Sequence, residues 1–132
     1  ELRAVSIPED IIPRIIDEIP VLAVAAALAE GTSVFRGVEE LKFKESNRLY
    51  TVVTELRRLG ARADWGEGEL RVEGPVRLKG ARCYSHGDHR IAMSLAVAAL
   101  AAKGSTVIEG AECISVSFPT FADTLAELRT DN

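Results

Sequence analysis

Sliding the sequence against itself by 73 positions brings two stretches into register: residues 22–39 read LAVAAALAEGTSVFRGVE and residues 95–112 read LAVAALAAKGSTVIEGAE. Ten of these eighteen positions are identical, including the glycine pairs Gly31 with Gly104 and Gly37 with Gly110. Alanine-rich helices resemble one another by composition alone, but glycines held in step with a following strand do not. An internal repeat is the sounder conclusion. Each copy predicts a helix, a tight turn and a strand. The helix is apolar on every side, which predicts enclosure by protein. Gly31 and Gly104 stand where a left-handed residue would end it. Val34-Phe35 and Val107-Ile108 supply β-branched and aromatic strand residues.

A second helix is predicted in each copy. In the first, Leu49, Val52, Val53, Leu56 and Leu59 recur at helical spacing, with Glu55, Arg57 and Arg58 expected to face water. Ser46 suits the N-cap and Gly60 the stop. In the second, Ser117 and Pro119 precede Phe121, Leu125 and Leu128. Between the copies, residues 62–65 and 70–73 flank Gly66 and Gly68 and read as a hairpin, and residues 82–84 as a further strand. The predicted fold is α/β, with repeated strand–helix–strand–helix–hairpin units and buried helices.

A length of 132 residues suits one domain. Two repeats are expected within it, about 1–80 and 81–129, followed by a frayed tail at 130–132. An apolar fraction of 47% and a charged fraction of 27% are those of a globular chain. The net charge of −4 argues against general nucleic-acid binding, which needs a basic face. The longest apolar runs, 21–29 and 91–102, fall short of the roughly 20 residues a membrane helix needs. Cys83 and Cys113 lack metal-type spacing and are expected to be buried free thiols in a reducing compartment, hence a cytoplasmic protein. The chain opens Glu1-Leu2-Arg3, with neither an initiating Met nor a signal-peptide pattern, and is expected to be a fragment of something longer.

Three polar clusters interrupt this scaffold: Asp17-Glu18, the run KESNR from Lys44 to Arg48, and the run HGDHR from His86 to Arg90. Each falls at or just before a predicted helix start, where unpaired N–H groups and the helix dipole favour anions. Asp17 and Arg90 align under the repeat, so the two helix starts are expected to face one crevice. Arg48 and Arg90 suit paired hydrogen bonds to carboxylate or phosphate, and Lys44 offers a point charge. Glu45 and Asp17 suit proton transfer, and His89 suits donation or proton shuttling. Simpler readings stand beside these. Asp17 and Asp88 suit N-caps, residues 44–48 a solvated helix entry, His89 and Arg90 a surface pair, and His86 a polar loop position. No metal cluster and no glycine-rich nucleotide loop is present in the sequence.

The stretches DEIPVLAVAAA from Asp17, KESNR from Lys44, HGDHRIAMSLAV from His86 and GAECISVSFPTF from Gly110 closely resemble the C-terminal part of 5-enolpyruvylshikimate-3-phosphate (EPSP) synthases, in the same order and spacing. The resemblance implies transfer of the enolpyruvyl group of phosphoenolpyruvate to the 5-hydroxyl of shikimate 3-phosphate, without metal or organic cofactor. It implies a fold of two similar domains, each of three βαβαββ units, of which this chain would supply two. It assigns Asp17 to the catalytic aspartate on the shikimate hydroxyls, Lys44 to a shikimate 3-phosphate contact and Glu45 to the proton-handling glutamate. Arg48 and Arg90 match the phosphoenolpyruvate-binding arginines, and His89 the histidine beside them. The implied partners are the two small-molecule substrates and the N-terminal part of the same enzyme, without which negligible turnover is expected.

Two positions depart from the pattern. Asn47 replaces an aspartate found in many members. Val116 stands where one branch has a phosphoenolpyruvate-binding lysine, so the chain resembles the other branch, which lacks it and includes glyphosate-tolerant enzymes. The alternatives are a UDP-sugar enolpyruvyl transferase of the same fold and a non-catalytic anion-binding domain.

Overall fold

The computed structural model describes residues 2–114. The predicted second helix of the second copy, from Ser117 to Leu128, lies outside these residues, as do Val116 and the tail at 130–132.

Within the described residues one complete βαβαββ unit is followed by the first three elements of another. The first comprises β1 (Ser6–Ile7), a short helix α1 (Ile12–Ile15), α2 (Ile19–Leu28), β2 (Gly31–Arg36), α3 (Arg48–Arg58), β3 (Arg62–Gly66) and β4 (Glu69–Gly74). The second opens with β5 (Arg82–Tyr84), α4 (His89–Ala101) and β6 (Val107–Glu109). β1 runs parallel to β2, while β4 lies antiparallel between β2 and β3. β5 and β6 form a separate parallel pair. The repeat therefore recurs as structure: β1–α2–β2 and β5–α4–β6 are equivalent strand–helix–strand crossovers, each returning its chain to a parallel neighbour.

Local chemistry explains the boundaries. Glu67 (φ 51°) and Gly68 (φ 75°) make the two-residue turn of the β3–β4 hairpin, because left-handed backbone at both positions matches the twist of paired strands. Pro20 lies in the first turn of α2. Lacking an N–H, it gives no helical bond to the turn before it, and that turn is a 3-10 segment, Ile16–Glu18. Asp17 consequently sits in a tightened turn inside a nearly continuous helical stretch.

α2, α3 and α4 pack on one another and α2 lies against β4. Their shared core includes Ile19, Ala23 and Ala27 of α2, Leu49, Val53 and Leu56 of α3, and Ile91, Leu95 and Ala98 of α4. Small alanines let helices approach closely, since interaxial distance follows side-chain size. Val21 on α2 and Leu100 on α4 remain 37% and 46% exposed, so these apolar helices are not enclosed on every side.

Four further sequence expectations change. Asn47, with extended backbone, caps α3 by accepting the Tyr50 N–H at 3.2 Å; Ser46 instead turns its hydroxyl to Asp88. Gly31 has φ 104° but is the first residue of β2, and α2 ends earlier, at an extended Ala29. Cys83 is buried as expected, whereas Cys113 is only partly so. Glu55, expected in water, is fully buried on α3. No described helix is long and apolar enough to cross a membrane.

Candidate functional site

The first residue of α3 organises the polar mouth of the fold. Arg48 is 1% exposed, and a buried guanidinium requires partners for its N–H groups. It donates from Nε to Asp88 Oδ2 at 2.8 Å and from Nη2 to Asp88 Oδ1 at 3.1 Å, a paired contact. Nη2 also reaches Glu45 Oε1 at 2.9 Å, and Nη1 reaches Asp17 Oδ1 at 3.0 Å. Lys44 Nζ stands 3.8 Å from Asp17 Oδ1 and 3.7 Å from Glu40 Oε2.

Asp88 is fully buried and performs two tasks. It caps α4 by accepting the Arg90 N–H at 3.0 Å, and it anchors Arg48, with Ser46 Oγ adding a third donor at 2.7 Å. Burial alone would push its carboxyl toward the neutral form. The hydrogen bonds from Arg48 and Ser46, the charge of Arg48 and the Arg90 N–H outweigh this and hold its pKa below the ordinary carboxylate value. Burial opposes the charge of Arg48 too; its bond to Asp88 and the charges of Asp88, Glu45 and Asp17 overcome that and raise its pKa.

The site is thus dry on one side and wet on the other. Asp88 is inaccessible, while the side chains of Glu45 and Asp17 are 55% and 44% exposed. Two carboxylates therefore lie against a guanidinium at a solvent-facing mouth, where an incoming anion can replace either of them on Nη1 or Nη2.

Arg90, in the first turn of α4, donates from Nη1 to Glu18 Oε1 at 2.9 Å. This bond joins the starts of the two repeated helices, which the alignment of Asp17 with Arg90 predicts to lie side by side. His89 opens α4 and is half-buried, outside the web around Arg48. The structure accordingly brings Asp17, Lys44, Glu45 and Arg48 into direct contact. Arg90 joins them through the Asp88 cap and through Glu18, and His89 only borders them.

Sequence reasoning missed the grip of Asp88 on Arg48, having Asp88 only as a cap. It also missed the contact between Glu55 Oε2 and His86 Nε2 at 2.7 Å, which corrects the plain loop role expected for His86.

Residues 3–125 match the family model described as EPSP synthase (3-phosphoshikimate 1-carboxyvinyltransferase). A 3-phosphoshikimate 1-carboxyvinyltransferase of Desulforamulus reducens is 55% identical over 128 residues, covering 97% of this chain and 30% of that protein. The solved EPSP synthase of Acinetobacter baumannii superposes with a TM-score of 0.90 at 38% identity, over 97% of this chain and 30% of its own. The enolpyruvyl transferase NikO of Streptomyces tendae gives a TM-score of 0.68 at 27% identity, over 87% of this chain and 25% of its own. The chain spans about 30% of the length of the curated relatives it matches.

Proposed function

The chain belongs to the EPSP synthase family, and on that premise we propose that it supplies one wall of the active site of a 3-phosphoshikimate 1-carboxyvinyltransferase. The reaction joins the 5-hydroxyl of shikimate 3-phosphate to C2 of phosphoenolpyruvate while a proton goes to C3. Phosphate then leaves and a C3 proton is removed, giving the enolpyruvyl ether. The observation that carries the proposal is the sharing of one buried guanidinium, Arg48, by Asp17 and Glu45 with Lys44 alongside. Chemistry of this kind needs anion-binding cations and proton-moving carboxylates within one small space.

The roles are those the family resemblance implies, and the contacts gathered around Arg48 support them. The phosphoenolpyruvate anion takes the outward N–H groups of Arg48 and the Arg90 fork, displacing Glu45 and Glu18. Released from Arg48, Glu45 is free to pass a proton to and from C3. Asp17 receives the shikimate hydroxyls, Lys44 the 3-phosphate, and His89 borders the site as a further donor. The remaining part of the same enzyme completes the substrate contacts, and this chain alone turns over negligibly. The two repeats divide it at about residue 80, with the second running to about 129. Val116 cannot bind an anion, which supports the branch lacking the lysine and, with it, glyphosate tolerance; tight glyphosate inhibition of the complete enzyme would contradict this. The free thiols support a cytoplasmic setting.

The test is Glu45→Gln in the complete enzyme. Loss of proton transfer should lower kcat about a hundredfold or more with substrate affinity largely retained. Unchanged kcat would overturn the assignment. Supplying both shikimate 3-phosphate and a UDP-sugar acceptor separates this reading from the related transferase, and activity with neither would leave an anion-binding domain.

A further inference from the structure

Glu55 and His86 belong to none of the roles above, yet they form a polar contact between a fully buried carboxylate and a ring whose side chain is 31% exposed. Glu55 is fully buried on α3. Its Oε1 accepts the Tyr84 N–H at 2.9 Å and lies 3.1 Å from Arg58 Nε in an ion pair, and its Oε2 meets His86 Nε2 at 2.7 Å. The carboxylate only accepts, so Nε2 carries the donated proton. Tyr84 ends β5, and His86 stands in the short connection from β5 to α4, directly before Gly87 and Asp88.

His86 adopts φ 57° and Gly87 φ 71°. Left-handed backbone is uncommon outside glycine, and although histidine is among the residues that adopt it more readily, such a position is held by contacts that enforce it. Glu55 supplies that enforcement from α3. On the other side, the Ser85 N–H donates to the Glu109 carbonyl at 3.0 Å and Ser85 Oγ to the Gly110 carbonyl at 2.8 Å.

Arg48 and Glu55 are seven residues apart on α3, hence on one face and about 10 Å apart along the axis. The same helix therefore grips the β5–α4 connection twice, at Asp88 through Arg48 and at Tyr84 and His86 through Glu55.

We propose that His86 is a positioning residue: its bond to Glu55 fixes the connection that presents Asp88 to Arg48 and aims Arg90. Its consequence for catalysis rests on the function proposed above; its consequence for Arg48 does not.

Asn and Gln separate side chain from backbone. Asn tolerates left-handed backbone but ends near the position of Nδ1, too short for Glu55. Gln reaches the Nε2 position but is less at home in that conformation. In the complete enzyme, His86→Asn should raise the KM for phosphoenolpyruvate roughly tenfold, the scale of one charge-assisted hydrogen bond. His86→Gln should restore most of it, although Asn is the better tolerated in unfolding. In this chain, the Arg48 Nε–H resonance should move in His86→Asn and return in His86→Gln. If KM instead follows the unfolding midpoint through both variants, the role is merely structural. An Arg48 resonance unmoved by either variant overturns the positioning whatever the enzyme does. A resonance that behaves as stated in a protein inactive with shikimate 3-phosphate leaves the positioning intact and overturns the catalytic reading.

Discussion

Arg48 and Asp88 form a fully buried, doubly hydrogen-bonded pair, with Nε to Oδ2 at 2.8 Å and Nη2 to Oδ1 at 3.1 Å. It ties the start of α3 to the start of α4, so the repeated units are joined by charge as well as by their apolar core. Removing one member of such a pair strands the other without solvent, which typically costs about 3–5 kcal/mol. Asp88→Asn keeps an oxygen for the cap but turns an amide toward Arg48, and should lower the urea midpoint accordingly. A shift below about 1 kcal/mol would mean that the pair contributes little.

The same carboxyl sets an acid limit. Its folded pKa lies below the unfolded value of about 4, so its stabilisation is present above that value and is lost as pH falls through the folded one. Unfolding free energy should decline below about pH 4 in the wild type, with a shallower slope in Asp88→Asn. Equal slopes would remove Asp88 as the source.

Cys83 works in the opposite direction. Burial, reinforced by Glu55 and only partly offset by Arg58, pushes its thiol up to about 11. The folded state then keeps a proton that the unfolded chain releases above about pH 8.5, so this contribution to stability falls as pH rises through that range. Near pH 8 a small alkylating reagent should modify Cys113 and reach Cys83 only after unfolding, since the thiolate is the reactive form. Equal native-state labelling of both would contradict the burial of Cys83.

Gly74 ends β4 beneath the last turn of α2. A Cβ built there would lie 2.3 Å from the Ala29 carbonyl oxygen, 2.6 Å from that of Ala27 and 2.8 Å from that of Ala26. Backbone atoms cannot swing aside as a flexible side chain can, so Gly74→Ala must push α2 off the sheet. Overpacking of this kind destabilises by about 1–3 kcal/mol, readable as a lower thermal midpoint. An unchanged midpoint would show that α2 yields at this contact without cost.

The repeat made the helix and the strand after it legible in each crossover, because both carry local periodicity, whereas the two-residue β1 is too short to carry any. α3 was legible only as an amphipathic helix. Arg48, Val52, Glu55 and Leu59 follow the spacing of its buried stripe, and all four are buried. Two charged residues on an apolar stripe were the available signal of buried polar contacts, but the charge of Glu55 outweighed its position in the reading. The partners could not be read at all. Asp88 lies 40 positions from Arg48 and His86 lies 31 from Glu55, and no local pattern encodes pairing over such separations. Of the candidate site, the anion-favouring residue types and their helix-start positions were visible. The near saturation of Arg48 by protein carboxylates was not.

Arg90 offers the cleanest separation of binding from folding. Unlike Arg48, its side chain is 36% exposed, and its ion pair is with Glu18, itself 54% exposed. Exposed pairs of this kind contribute about 1 kcal/mol at most. Arg90→Gln should therefore leave the unfolding midpoint nearly unchanged while raising the KM for phosphoenolpyruvate in the complete enzyme by about tenfold or more, because a neutral amide cannot replace a charged fork on an anion. Glu18→Gln is the matched control. It breaks the same surface pair but leaves the cation in place, so KM should hold or fall as Arg90 is freed. If both substitutions weaken binding equally, the Arg90–Glu18 contact shapes the mouth of the site and Arg90 does not itself hold the anion.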